Sequence, residues 1–157
     1  MEELFKLEKE GYVRSFRHKT LPLTAFNYTP KTQFEKAFGD FPILRQCRGI
    51  VYDDNGVIVA RPFNKFFNWE EHTASELPCM NDAIEITEKM DGENTTMYSD
   101  YIHARSLDSL EPHPSRTRIK ALHGQIKGDL PKGFRFCIEN VFAKHSIHYK
   151  NLKDYHY

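Results

Sequence analysis

The sequence predicts an α+β fold, mainly antiparallel sheet with a few helices packed outside it, and three observations carry that expectation. Short runs of β-branched and aromatic residues recur along the 157 residues and are separated by turn residues. Asp53-Asp54-Asn55-Gly56 stands between two such runs, and Asn-Gly in that setting is the strongest short-range hairpin signal. Helical spacing, by contrast, is confined to a few short stretches.

Taken in order, residues 2–10 carry Leu4, Phe5 and Leu7 among charges and end at Gly11, which reads as a short amphipathic helix. Residues 12–16 and 23–28 read as strands, the second closed by Thr29-Pro30. Phe34 and Phe38 stand four apart ahead of Gly39, which predicts a helix of about two turns over 31–38. Residues 48–52 and 57–60 form the hairpin, whose outer ends bring Arg48 and Arg61 together. Asn68-Trp69-Glu70-Glu71 has capping-box spacing, predicting a helix to about Leu77 before Pro78. Residues 83–87 alternate apolar and polar and predict a strand, followed by strands at 95–98 and 101–106. Ile119, Leu122 and Ile126 predict a helix over 115–127, with Ser115 as N-cap and Gly128 as stop. Residues 134–139 close the series as a strand ending on Glu139.

The stretch around which the chain is organised is Glu88-Lys89-Met90-Asp91-Gly92-Glu93-Asn94, a corner between two predicted strands. Asp-Gly supplies a turn without a bulky side chain, so backbone can approach a ligand beside the lysine. A lysine attacks an electrophile only as the neutral amine, and an exposed lysine in a hairpin is otherwise a solvated charge. Taken alone, Lys89 fits either role.

Composition narrows the classes. Hydrophobic residues are 39% and charged residues 28%, and no apolar run approaches the roughly 18 residues of a membrane span. The N-terminus lacks a secretory pattern, and the three widely spaced cysteines, Cys47, Cys79 and Cys137, fit reduced thiols, so a cytoplasmic protein with no membrane partner is expected. Net charge is zero, but residues 1–100 hold 12 Lys and Arg against 17 Asp and Glu, while residues 101–157 hold 10 against 5. A basic surface late in the chain could hold phosphates, or could be a solvated face of mixed charge. Eight histidines include His145 and His148, but no further ligand completes a zinc set, and no structural metal site is expected.

Several segments in fixed order resemble one enzyme family. Lys89-Met90-Asp91-Gly92 resembles motif I, K-x-D-G, of the covalent nucleotidyltransferases. Cys47-Arg48-Gly49-Ile50 and Arg61-Pro62-Phe63-Asn64-Lys65-Phe66-Phe67-Asn68 are similar to segments that precede motif I in ATP-dependent RNA ligases of the T4 RNA ligase 1 type. Arg105-Ser106 matches motif Ia, and Phe136-Cys137-Ile138-Glu139, continued through Tyr149, resembles motif III. The resemblance implies a nucleotidyltransferase fold, ATP-grasp-like, with residues 1–157 as a C-terminally truncated, partial ligase adenylation domain that holds motifs I, Ia and III and has the nucleotide between its sheets. It implies Lys89 as the catalytic nucleophile that accepts AMP. Glu88, Asp91 and Gly92 would line the nucleotide site, Arg48 and Lys65 would contact the ATP phosphates with Phe67 packed nearby, Arg105 would support the phosphate or RNA, and Glu139 would bind the ribose. ATP with Mg²⁺ or Mn²⁺ and RNA ends are the implied cofactors and partners.

Two departures matter. Asn94 stands where DNA ligases and capping enzymes generally carry arginine, which favours RNA ligases over those relatives. Motif IV with its glutamate and motif V with its lysines have no counterpart before Tyr157, where an aromatic motif IIIa strand would begin near Tyr155. The expectations from this are little turnover, poor ATP binding, and either a weakly ordered end or a homodimer through an incomplete sheet edge. An inactive relative that only binds nucleotide or RNA, and a β-rich interaction module, are the rival readings; the motif order counts against the second.

Overall fold

The computed structural model describes residues 1–79, 81–99, 102–104, 114–141, 147, 149 and 155–156, and these form two four-stranded sheets with helices against them. The α+β class with antiparallel sheets stands as the sequence predicts. No helix among the described residues is long and apolar enough to cross a membrane.

The first sheet is a meander in chain order, β1 (Val13–Arg17), β2 (Leu23–Tyr28), β3 (Arg48–Asp53) and β4 (Ile58–Ala60), with every pair antiparallel. The β3–β4 turn is the Asn-Gly hairpin. The Asp53 carboxylate accepts the Asn55 and Val57 N–H groups at 2.9 and 2.8 Å, and Gly56 supplies the left-handed backbone (φ 79°) that closes the turn. Helix α1 (Glu2–Lys9) turns Leu4 and Leu7 onto one face of this sheet, where they meet Phe26, Ile50 and Tyr52. Glu8 pins the helix to β1 by accepting the Ser15 N–H and hydroxyl at 2.6 and 2.7 Å. Phe26 is wholly buried between the Phe5 and Tyr52 rings, both edge-on at 5.2 and 5.8 Å.

Helix α2 (Pro30–Phe34) is shorter than its pattern predicts. It ends in a Schellman motif: the Ala37 N–H donates to Thr32 O at 3.0 Å and the Lys36 N–H to Gln33 O at 3.3 Å, with Lys36 left-handed at φ 54°. The reversal sends Phe38 into the core and leaves Phe34 90% exposed, so the i,i+4 pair never shares a face. The predicted 69–77 helix is likewise a single 3-10 turn, Trp69–Glu71, held by the capping box on Asn68. His72 is extended (ψ 146°), and Thr73 begins a separate turn in which its N–H and hydroxyl donate to Glu76 at 3.0 and 3.1 Å.

The second sheet has the order β6-β5-β7-β8, built from β5 (Glu93–Met97), β6 (Ile102–Ala104), β7 (Phe136–Val141) and β8 (Tyr155–His156). Helix α3 (Pro114–Ile126) begins at Pro114, so Ser115 lies inside its first turn and is not the cap. Its Ile119, Leu122 and Ile126 cover Met97 and Ile138, as their spacing predicts. The sheets touch through Tyr98, which packs by Ala25, Val51 and Ala60 and whose hydroxyl accepts the Arg61 N–H at 2.8 Å.

The alternating run 83–87 is not a strand. It is irregular and exposed, with Ile84 61% and Ile86 91% accessible, because no described strand offers it a partner. A period-2 pattern specifies a strand only where a sheet edge and an apolar layer receive it.

Candidate functional site

Two groups of side chains hold five of the eight site residues singled out in the sequence: Asp91, Gly92 and Glu139 in one, Arg48 and Lys65 in the other. The first surrounds Asp91-Gly92 at the start of β5. β7 runs antiparallel beside β5 with Asn94 opposite Glu139 and Glu93 opposite Asn140, so the glutamate faces the loop from the neighbouring strand. Its Oε1 accepts the Gly92 N–H at 2.9 Å and its Oε2 accepts the Asn94 amide at 3.3 Å. The Tyr149 hydroxyl accepts the Asp91 N–H at 2.7 Å. Two consecutive backbone donors of the loop are thereby held by side chains that lie about 50 residues further along the chain.

Gly92 is needed here for space. A Cβ at this position would stand 2.6 Å from the Asn140 carbonyl oxygen and 2.9 Å from its carbon, both backbone atoms. The close approach expected toward a ligand is therefore made to β7. The Asn140 side chain, fully buried, has no hydrogen-bond partner for either amide atom among the described residues.

Lys89 and Glu88 sit outside this clamp. Residues 81–89 are exposed, and neither side chain makes a hydrogen bond or ion pair with a described residue. The walls that would exclude water from the Lys89 amine are not formed by the described residues around it. Arg105 lies outside the described residues.

The second group lies at the end of the first sheet. The Arg48 guanidinium stacks over Phe66 at 5.1 Å and donates to Asn64 O at 3.4 Å. Lys65 donates to Phe66 O at 2.7 Å and stands 4.8 Å from the centre of the Phe67 ring, which also carries Arg45 at 5.2 Å. Phe67 is fixed by edge contacts with Phe38 and His72 at 5.4 and 5.8 Å. Arg48 and Lys65 thus stand on the consecutive rings of Phe66 and Phe67, with Arg45 added on Phe67. Arg48 and Arg61 turn to different partners, since Arg61 donates to Gln46 at 2.6 Å. Among the described residues the carboxylate paired with these cations is Glu76, 3.6 Å from Arg45; the Thr73 N–H, then its hydroxyl, and more weakly Arg45 and His72, hold it below the usual carboxylate range.

Sequence reasoning missed three of these roles. Asn94 registered only as a departure from an arginine, Tyr149 only as part of a matching segment, and Arg45 not at all. The signal for Arg45 was its place three residues before Arg48 in a turn that folds back on the aromatic run.

Residues 82–157 match the family model described as RNA ligase. Over 91 residues the chain is 30% identical to a protein of Thermovibrio ammonificans named "Putative RNA ligase"; that alignment takes in 57% of this chain and 23% of the relative. The chain thus matches about a quarter of the length of that curated protein. The family match contains Lys89, the Asp91-Gly92 loop and both side chains that hold it.

Proposed function

From the match of residues 82–157 to the RNA ligase family model, we propose that the chain belongs to that family and is part of the adenylation domain of an ATP-dependent RNA ligase. The observation that carries this reading is the clamp of Glu139 and Tyr149 on Asp91-Gly92, which joins within the matched segment the two sequence motifs that resemble nucleotidyltransferase motifs I and III. Lys89 precedes the clamped residues, so fixing their backbone limits where its amine can reach.

In this reading ATP lies with its triphosphate toward Arg48 and Lys65. The Lys89 amine, having given its proton to solvent, attacks the α-phosphorus; a nitrogen–phosphorus bond forms and the bond to the bridging oxygen of pyrophosphate breaks. AMP then passes from lysine to an RNA 5′-phosphate. A 3′-hydroxyl attacks that phosphate, joining the strands and releasing AMP. A covalent intermediate divides one hard condensation into easier steps, which expel pyrophosphate, then the lysine amine as its nitrogen takes up a proton, then AMP. Glu139 uses one acceptor site on each oxygen for the loop, which leaves further lone pairs for ribose hydroxyls.

A divalent ion would neutralise phosphate charge and orient pyrophosphate. Magnesium commonly binds through one or two carboxylates together with substrate phosphates, so the ion would be shared with the triphosphate.

The exposure of residues 81–89 favours a second reading, a nucleotide- or RNA-binding module without transfer. Incubation with α-labelled ATP and Mg²⁺, followed by a denaturing gel, separates the two. Labelled protein that disappears with Lys89→Ala and Lys89→Arg supports the ligase reading, because guanidinium cannot be deprotonated to attack. Label that survives Lys89→Ala rejects the assignment of the nucleophile, and no label at all in the wild-type chain leaves the binding module.

A further inference from the structure

The cation group contains one more side chain than the family resemblance calls for, and its surroundings are unusual. Arg45 belongs to the 3-10 turn Pro42–Gln46, ahead of β3, and its carbonyl accepts the Lys65 N–H at 2.6 Å. That bond fixes the two backbones side by side. Both side chains then approach the same Phe67 ring, while Arg48 takes the next ring, Phe66. Three cations are gathered on two consecutive aromatic residues.

Like charges brought this close repel unless an anion joins them. Glu76 supplies one negative charge, and it does so obliquely: its Oε1 is 3.6 Å from the Arg45 terminal nitrogen, beyond good hydrogen-bond distance, while its Oε2 serves Thr73 and lies 3.8 Å from His72. The Arg45 Nε is shielded from water and has no acceptor among the described residues. A guanidinium is a planar fork of five donors matched to carboxylate and phosphate oxygens, and here its buried donor is unmet.

We infer that Arg45 is a third polyphosphate-binding residue beside Arg48 and Lys65, and that Glu76 holds its guanidinium until the polyphosphate arrives. The inference rests on the proposal that Arg48 and Lys65 receive the nucleotide phosphates. A partly exposed ion pair at this distance contributes only about two- to fivefold to an equilibrium, whereas charge-assisted bonds to phosphate are roughly twice as strong as neutral ones. Exchange of Glu76 for phosphate is therefore downhill. The Phe67 ring keeps the guanidinium in place during the exchange, so the site has little reorganisation to undergo.

The test is calorimetric titration of the full 157-residue chain with sodium tripolyphosphate and with ATP, for wild type, Arg48→Ala, Lys65→Ala, Arg45→Gln, Glu76→Gln and the Arg45→Gln/Glu76→Gln pair, each checked by thermal melting. Glu76→Gln is expected to tighten tripolyphosphate about two- to fivefold, removing the competing carboxylate. Arg45→Gln should weaken it about tenfold or more, and in that background Glu76→Gln should have no effect. If Arg48→Ala and Lys65→Ala weaken binding while Arg45→Gln and Glu76→Gln leave it unchanged, Arg45 is only packing on Phe67 and the inference is overturned with the proposed nucleotide site intact. If neither ligand binds the wild type, or binding ignores Arg48 and Lys65, the nucleotide site falls and the inference with it. Should Arg45→Gln fail to fold, Glu76→Gln decides alone, since unchanged or weaker binding there overturns the inference.

Discussion

Replacing Gly92 with alanine tests whether the clamp is built on a backbone contact between β5 and β7. The added Cβ would lie 2.6 Å from the Asn140 carbonyl oxygen, against the roughly 3.3 Å at which carbon and carbonyl oxygen ordinarily meet, so the strands must part by about 0.7 Å. No flexible side chain can yield, because the two nearest atoms are backbone. Overpacking of this kind costs about 1–3 kcal/mol. Parting the strands also weakens the bond from the Gly92 N–H to the Glu139 carboxylate, a further 1–2 kcal/mol or so. The total of about 2–5 kcal/mol lowers the folded-to-unfolded ratio by roughly 30- to 5,000-fold and moves a urea midpoint down by about 1–2.5 M. Gly124 is the internal control. It sits in α3 with nothing within 4 Å of its would-be Cβ, so Gly124→Ala should raise stability by about 1 kcal/mol through helix propensity. Urea unfolding followed by far-ultraviolet circular dichroism reads both variants. An unchanged midpoint for Gly92→Ala, or shifts of the same sign in the two, would refute the close-approach argument.

Three further outcomes follow from the same geometry. Glu139→Gln should keep most of the stability, because one amide oxygen still accepts the Gly92 N–H and the Asn94 amide can turn to match; Glu139→Ala should lose about 1–3 kcal/mol, read by the same unfolding curves. Lys36→Gly should stabilise by about 1 kcal/mol, since glycine adopts the left-handed conformation without steric cost, and a lower melting temperature would count against the Schellman reading of α2. Burial pushes the Cys47 thiol up to about 12, so a disulfide reagent should modify exposed Cys79 quickly in the native protein and Cys47 only on unfolding. The linked pH effect has a fixed sign: because the folded value lies above the unfolded one near 9, the contribution is complete below pH 9 and is lost as pH rises toward 12, and a Cys47→Ser variant should lack that loss.

Much of the fold was legible because its signals are local. The Asn55-Gly56 turn, the boundaries of β2 and the apolar face of α3 each follow from a handful of adjacent residues, and all appear in the structure. Where the reading failed, something outside the window decided. Phe34 and Phe38 have helical spacing, but a left-handed Lys36 between them sets their directions apart. Residues 83–87 have strand periodicity and no described strand to pair with. In the site, Arg48 and Lys65 stand on the consecutive rings of Phe66 and Phe67, and Glu139 faces the Asp91-Gly92 loop. Tyr149 was illegible because its position depends on a contact spanning 58 residues, and Arg45 had only its place three residues before Arg48 as a signal, since its contact to Lys65 spans 20.

The placement of β7 beside β5, with β6 on the far side, also fixes an order of assembly. In the first sheet the β1–β2 and β3–β4 links are short and the β2–β3 connection, residues 29–47, carries its own helical turns, so its contacts can form as soon as each strand exists. The pairing of Met97 with Phe136 must instead close a loop of roughly 40 residues, and loop closure slows with sequence separation. A nascent chain that has emerged through α3 carries the lysine, the aspartate and the glycine, yet has nothing to hold them. The last strands to dock make the Asp91-Gly92 backbone rigid, so the first half of the molecule can be fully folded while the lysine loop is still slack. Pulsed hydrogen exchange during refolding should show the Gly92 amide acquiring protection with β7, well after the amides of β2 and β3.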